Sequence, residues 1–238
     1  MNNNSIMSIM TGNNHSEHIL NVINKTFEVL YNVYSYHKEG NGFTPLDCSR
    51  IIFPQKRKKD TRVSEQELRF MFVEQLNDYI SKHKEWSVYY SIETPSKDTY
   101  CFKEKIPTRK KEEDGGRSAN FDLVIHNDKG ERIALIEFKA NNPRIKDYHK
   151  DFVKLSNENE TGELRFFIHL LENTDVDTFS SIHGKIINNE TLKCIFGKKE
   201  VHYLYFSLEK GKSAFLPTDI KEEILFKDIA GKPSQKAL

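Results

Sequence analysis

Apolar residues at helical spacing open the chain. Ile19, Val22, Ile23, Phe27, Leu30 and Tyr34 recur every three or four positions and predict an amphipathic helix over 16–36. Gly40 and Gly42 end it, and an irregular stretch with Pro45, Pro54 and the run Lys56-Arg57-Lys58-Lys59 follows. A second helix starts at Ser64, where Ser64 and Glu67 form the S-x-x-E pattern of a capping box. Its buried stripe is Leu68, Met71, Phe72, Leu76, Tyr79 and Ile80. From there the period changes to two. Trp86–Thr94 reads as a strand, with a short one at Tyr100–Phe102, and Gly115-Gly116 turns the charged loop after it. Phe121–His126 and Arg132–Ala140 are the clearest strands, joined by the turn Asn127-Asp128-Lys129-Gly130. A helix over Ile145–Leu155, a strand over Leu164–Leu171, a helix over Thr178–Asn188 and a strand over Val201–Leu208 complete the pattern. The expected fold is α/β, a mixed sheet with helices on its faces. It divides into a disordered lead (1–14), an N-terminal helix and basic loop (15–62) as an extension, and a main domain (63–238).

Composition adds exclusions. Hydrophobic residues make up 37% and aromatics 11%, which argues against wholesale disorder. The net charge of +1 does not announce a polyanion partner, so local charge matters more. Cys48, Cys101 and Cys194 are scattered and make no zinc-type pair, as expected of reduced thiols. No apolar stretch reaches the ~20 residues of a membrane span, and the Asn-rich start lacks a signal-peptide core. The expectation is an intracellular, cytoplasmic protein that does not engage a membrane.

Three charged residues sit inside the two most apolar strands. Asp122 interrupts Phe-Asp-Leu-Val-Ile, and Glu137 and Lys139 interrupt Ala-Leu-Ile-Glu-Phe-Lys-Ala. Burying a lone charge costs several kcal/mol, so such placements need a partner or a task. Glu137 and Lys139 share a face because the strand period is two. A four-residue turn pairs 126 with 131 and 122 with 135, which places Asp122 diagonal to Glu137, roughly 7–8 Å away at the backbone. From there two carboxylates can share a Mg²⁺ with oxygen ligands at about 2.0–2.1 Å. An odd turn without a bulge would put them on opposite faces. The plainer alternative is a structural Asp122–Lys139 salt bridge, which leaves Glu137 unexplained.

Asp122, fourteen intervening residues and then Glu137-Phe138-Lys139, on a strand–turn–strand, resemble the PD-(D/E)XK nuclease superfamily; Phe121 stands where that family's name-giving proline would be. The resemblance implies a restriction-endonuclease-like fold and hydrolysis of phosphodiester bonds. Asp and Glu would bind Mg²⁺ (or Mn²⁺), and Lys139 would position or activate the attacking water. It also implies a helix glutamate. Of Glu65, Glu67 and Glu74, Glu65 lies on the buried stripe and completes the set of catalytic and metal residues; alternatively it only complements the helix N-terminus. Candidate nucleic-acid contacts are Lys56, Arg57, Lys58, Lys59, Arg117 and the four-residue ladder Lys146, Lys150, Lys154, each of which also fits a solvated surface. His149 reads as a surface residue. The expected function is a DNA endonuclease of the restriction or defence type. The alternative is a nuclease-fold subunit or binding module acting with a partner protein. A homodimer through residues 1–62 is also compatible.

Overall fold

The computed structural model describes residues 14–39, 49–55, 61–102, 108–172, 176–186, 199–209 and 222–225. Helix α1 spans Asn14–Lys38 and α2 spans Glu65–Lys82. Strand β1 (Val88–Cys101) is followed by the short β2 (Thr108–Arg109), a 3₁₀ turn at Glu112–Asp114, then β3 (Arg117–Asn127) and β4 (Arg132–Ala140). Helix α3 (Ile145–Ser156), β5 (Leu164–Leu171), α4 (Val176–Ile186), β6 (His202–Ser207) and β7 (Glu222–Leu225) complete the order. The seven strands form one mixed sheet in the order β2-β1-β3-β4-β5-β6-β7. The β1–β3 and β3–β4 pairs are antiparallel, and β4–β5 and β5–β6 are parallel. The α/β class and the mixed sheet flanked by helices are as expected.

Each sheet face has its own core. On one, α1 and α2 pack Ile23, Phe27, Leu30, Leu68 and Phe72 against Leu123, Ile136, Phe138, Ile168 and Phe206. The rings of Phe27 and Phe206 stack at 4.9 Å. The helix expected as an N-terminal extension is therefore a wall of the main core. On the other face, α3 and α4 pack Tyr148, Phe152, Ile182 and Ile186 against Val124, Leu135, Phe167 and Tyr203. The α3 and α4 crossovers each carry the chain between neighbouring parallel strands, as that geometry requires.

Two expected strands merge. Trp86–Thr94 and Tyr100–Phe102 are parts of the 14-residue β1, whose register against β3 shifts between Pro95 and Thr99. Pro95 and the polar stretch behind it look like a break in sequence, yet a bulge carries the strand through. The capping box forms: the Ser64 N–H donates to Glu67 Oε2 at 2.8 Å. Residues 1–13, the basic run 56–59, Cys48 and Cys194 lie outside the described residues; Cys101 is a free thiol. Among the described residues, no helix is long and apolar enough to cross a membrane.

Candidate functional site

The β3–β4 turn fixes how the strand-borne charges meet. The register ends at His126↔Arg132, leaving five residues in the connection, and Asn127 ties it together. Its Oδ1 accepts the Lys129 and Glu131 N–H groups, and Gly130 adopts φ 77°. The four-residue turn and the 122–135 pairing are thus corrected. An odd connection alone would split the site, but Ile133 is bulged between Ala134 and Arg132. The bulge restores parity and shifts the register by two residues, to Leu123↔Ile136 and Val124↔Leu135. One further step along this register sets Asp122 directly opposite Glu137, closer than the diagonal expected.

Asp122, Glu137, Lys139 and Glu65 belong to one ion-pair cluster. Asp122 Oδ2 accepts the Phe138 N–H at 2.8 Å, and its Oδ1 pairs with Arg69 Nη2. Glu137 pairs with Lys154. Lys139 Nζ lies 2.7 Å from Asp151 Oδ2 and 3.4 Å from Glu65 Oε2, and donates to the Phe138 carbonyl at 3.0 Å. Asp151 and Lys154, three apart on α3, pair with each other at 3.2 Å. The direct Asp122–Lys139 salt bridge, the simple structural alternative, is not what forms; each residue has a different partner. Glu65 faces the sheet as expected, while Glu67 is spent on the cap and Glu74 is exposed.

The Asn141 loop holds the two sides of this cluster together. Asn141 adopts φ 57° just past β4. Its Nδ2 donates to the Val63 carbonyl at 2.8 Å, and its own N–H donates to Leu170 O at 2.7 Å. The start of α2, and with it Glu65, is thereby pinned beside Lys139. Next to Lys139 on β5 is His169, buried between Asn141 O at 2.6 Å and the Tyr203 hydroxyl at 2.8 Å. Burial pushes the His169 imidazole down to about 3, which keeps it neutral.

Protonation follows the pairing. Burial pushes the Glu137 carboxyl well above its ordinary value, with Lys154 the main force against it. Burial also raises Glu65, against the pull of Lys139. Burial works against the charge of Lys139, but Asp151, Glu137 and Glu65 outweigh it and hold the ammonium above its ordinary value. For Asp151, the two lysines overcome burial and keep the carboxyl low.

The basic ladder on α3 is corrected in part. Lys146 and Lys150 are exposed, but Lys154 is only 2% exposed and sits inside the cluster, where it also donates to Asn120 O at 2.8 Å. Four residues advance about 40° past a full turn, so two steps rotate the ladder by about 80°, from solvent to the sheet. Lys154 is thus an internal counter-charge and not a surface contact for nucleic acid. Arg117 is exposed at the start of β3. His149 is buried, with neither ring nitrogen hydrogen-bonded, contrary to the surface placement expected.

Reading the sequence missed Arg69, Glu93 and Asp151. Arg69 lies one turn beyond Glu65 on the same face of α2, and Asp151 lies three residues before Lys154 on the inward side of α3. Both are helix-face charges that only packing against the sheet turns inward. Glu93 carried no signal either, because its φ of 48° inside a strand is set by tertiary structure. Among the described residues, no three Asp, Glu, His or Cys side chains converge closely enough to hold a metal ion as they stand. The donor chemistry of Asp122, Glu137 and Glu65, all carboxylates, still suits a hard divalent cation. Comparison with family models, with curated proteins and with solved structures gives no match.

Proposed function

We propose that this chain is a divalent-metal-dependent nuclease of restriction-endonuclease-like fold that hydrolyses phosphodiester bonds in DNA. The observation that carries the reading is the meeting of Asp122, Glu137, Lys139 and Glu65, from three separate elements, in one cluster where β3, β4 and the start of α2 come together. A surface salt bridge would need one pair of opposite charges; here Asp151, Glu137 and Glu65 all act on one strand lysine. Asp122, Glu137 and Glu65 would hold Mg²⁺ or Mn²⁺. When bound, that ion supplies charge neutralisation at the phosphate and acidifies water. Lys139 directs an N–H toward the attacking water and keeps its charge through Asp151. Asp122 Oδ2 is fixed by the Phe138 N–H, so Oδ1 faces the cluster, where Arg69 holds it. Exposed Lys146, Lys150 and Arg117 supply positive surface for the backbone of the substrate.

One observation favours a second reading, a nuclease-fold subunit that binds without cutting. Arg69 and Lys154 already neutralise Asp122 and Glu137. Plasmid and single-stranded DNA incubated with the full chain in Mg²⁺, Mn²⁺ or EDTA separates the two. The nuclease reading expects nicking that requires metal and disappears in Asp122→Asn. Absence of cleavage together with absence of metal binding selects the second reading, and cleavage that survives Asp122→Asn removes this site from the reaction.

A further inference from the structure

The Arg69 guanidinium is shared among three carboxylates on three elements. Its Nη2 contacts Asp122 on β3 and lies 3.5 Å from Glu65 on α2, and its Nη1 lies 2.7 Å from Glu93 on β1. Asp122 and Glu65 are two of the three carboxylates assigned above to the metal. Glu93 is different: its side chain is 54% exposed, at the rim. On β1 it stands opposite Asp122 of β3, between the pairs Ile92↔Leu123 and Thr94↔Phe121, in a left-handed conformation that a non-glycine residue rarely adopts. Arg69 Nε is buried without a hydrogen-bond partner, so the guanidinium is not fully satisfied where it sits. Arg69 is 16% exposed, whereas Lys154 is 2% exposed and bonded to a backbone carbonyl as well. Three cations lie on the proposed metal ligands; Lys139 and Lys154 are also held by Asp151 and by backbone carbonyls, whereas Arg69 is tied to the exposed Glu93 at the rim.

Five carboxylates, Glu65, Glu93, Asp122, Glu137 and Asp151, face three cations, Arg69, Lys139 and Lys154. A further cation would offset that excess of acidic groups.

Resting on the reading of Asp122 and Glu65 as metal ligands, we propose that Arg69 is the resident cation of the metal site and the ligand of a substrate phosphate. Its Nη2 leaves Asp122 and Glu65 when a divalent cation takes them. Its Nη1 stays on Glu93, and the freed edge of the guanidinium takes a phosphate oxygen at the mouth. A planar, forked, permanently charged group suits both positions, which an ammonium would not.

The test uses the full chain. Mn²⁺ is titrated calorimetrically into the wild type and R69Q, and a short DNA duplex is titrated in Ca²⁺ by fluorescence anisotropy. R69Q is expected to bind Mn²⁺ about tenfold tighter, because the competing cation is gone, and the duplex about tenfold more weakly. A brace with a merely structural role moves neither in that direction. Unchanged or weaker Mn²⁺ binding in R69Q, or unchanged duplex affinity, overturns the proposal while leaving the metal site standing. A wild type that binds no Mn²⁺ overturns both. E93Q, altered at an exposed side chain, covers the case of an unfolded R69Q. It throws Arg69 wholly onto Asp122 and Glu65, so Mn²⁺ binds severalfold more weakly; Mn²⁺ affinity unchanged in E93Q overturns the proposal.

Discussion

Two buried charge networks lie on this sheet, and they are satisfied in different ways. At one end, Glu160 has a side chain with no exposure, accepting the Lys97 N–H at 2.9 Å, the Asp98 N–H at 3.0 Å and the Tyr100 hydroxyl at 2.9 Å, with Arg132 3.3 Å away. Nearby, Arg165 donates to the carbonyls of Leu155, Asn157, Glu160 and Gly162. That network is bonded mostly to backbone: it holds the β1 bulge and closes the end of α3. The cluster around Lys139 is bonded mostly side chain to side chain, and it leaves Arg69 Nε and the Tyr148 hydroxyl unpaired. Backbone-satisfied charges cannot change partners without unfolding something. Side-chain pairs with spare donors can, and a site that binds ions and releases products needs that freedom.

The largest effect expected from this contrast is at the anchor. Glu160→Ala leaves the Lys97 and Asp98 N–H groups without this acceptor and takes one partner from the Tyr100 hydroxyl and from Arg132, and should cost about 3–5 kcal/mol in urea unfolding. A loss below about 1 kcal/mol would mean that the anchor is not architectural. Acid comes next. His169 takes a proton at about 6.5 when unfolded but only at about 3 when folded, so the unfolded chain binds the extra proton between those values. Stability should therefore fall as pH drops below 6.5. His169→Gln should show a shallower fall between pH 7 and 5, and identical slopes would exclude His169 as the cause. Asp151→Asn probes positioning: Lys139 loses its nearest carboxylate, and cleavage should slow about tenfold, the scale of losing an outer partner of a metal site. The change should fall on kcat more than on KM, since Asp151 acts through Lys139. The smallest effect concerns the surface. Lys150→Ala should lower the salt dependence of DNA binding by about one unit of log–log slope, and Lys154→Met should leave that slope unchanged because Lys154 is inside.

Much of this was legible in the sequence where period and burial agree. The strands around Asp122, Glu137 and Lys139 declared themselves because charges interrupt apolar runs. The choice of Glu65 followed from helical phase alone. The turn did not. Its residue count and the Ile133 bulge compensate each other, and no local signal fixes either. Lys154 was misread because a four-residue ladder looks straight in sequence yet rotates on a helix. Arg69 and Asp151 were overlooked because a charge on a helix face is ordinarily solvated, and only the packed sheet shows which ones turn inward.

The most direct test of the central claim is the rate of plasmid cleavage in Mg²⁺ by Lys139→Gln, measured beside a thermal melt of the same preparation. Lys139 sits between Asp151 and Glu65, and its loss leaves Asp151 still paired with Lys154. A cooperative melt with the cleavage rate reduced about 100-fold or more is expected, the scale of removing a group that moves or positions a reacting proton. A folded Lys139→Gln that cuts at the wild-type rate would contradict the account.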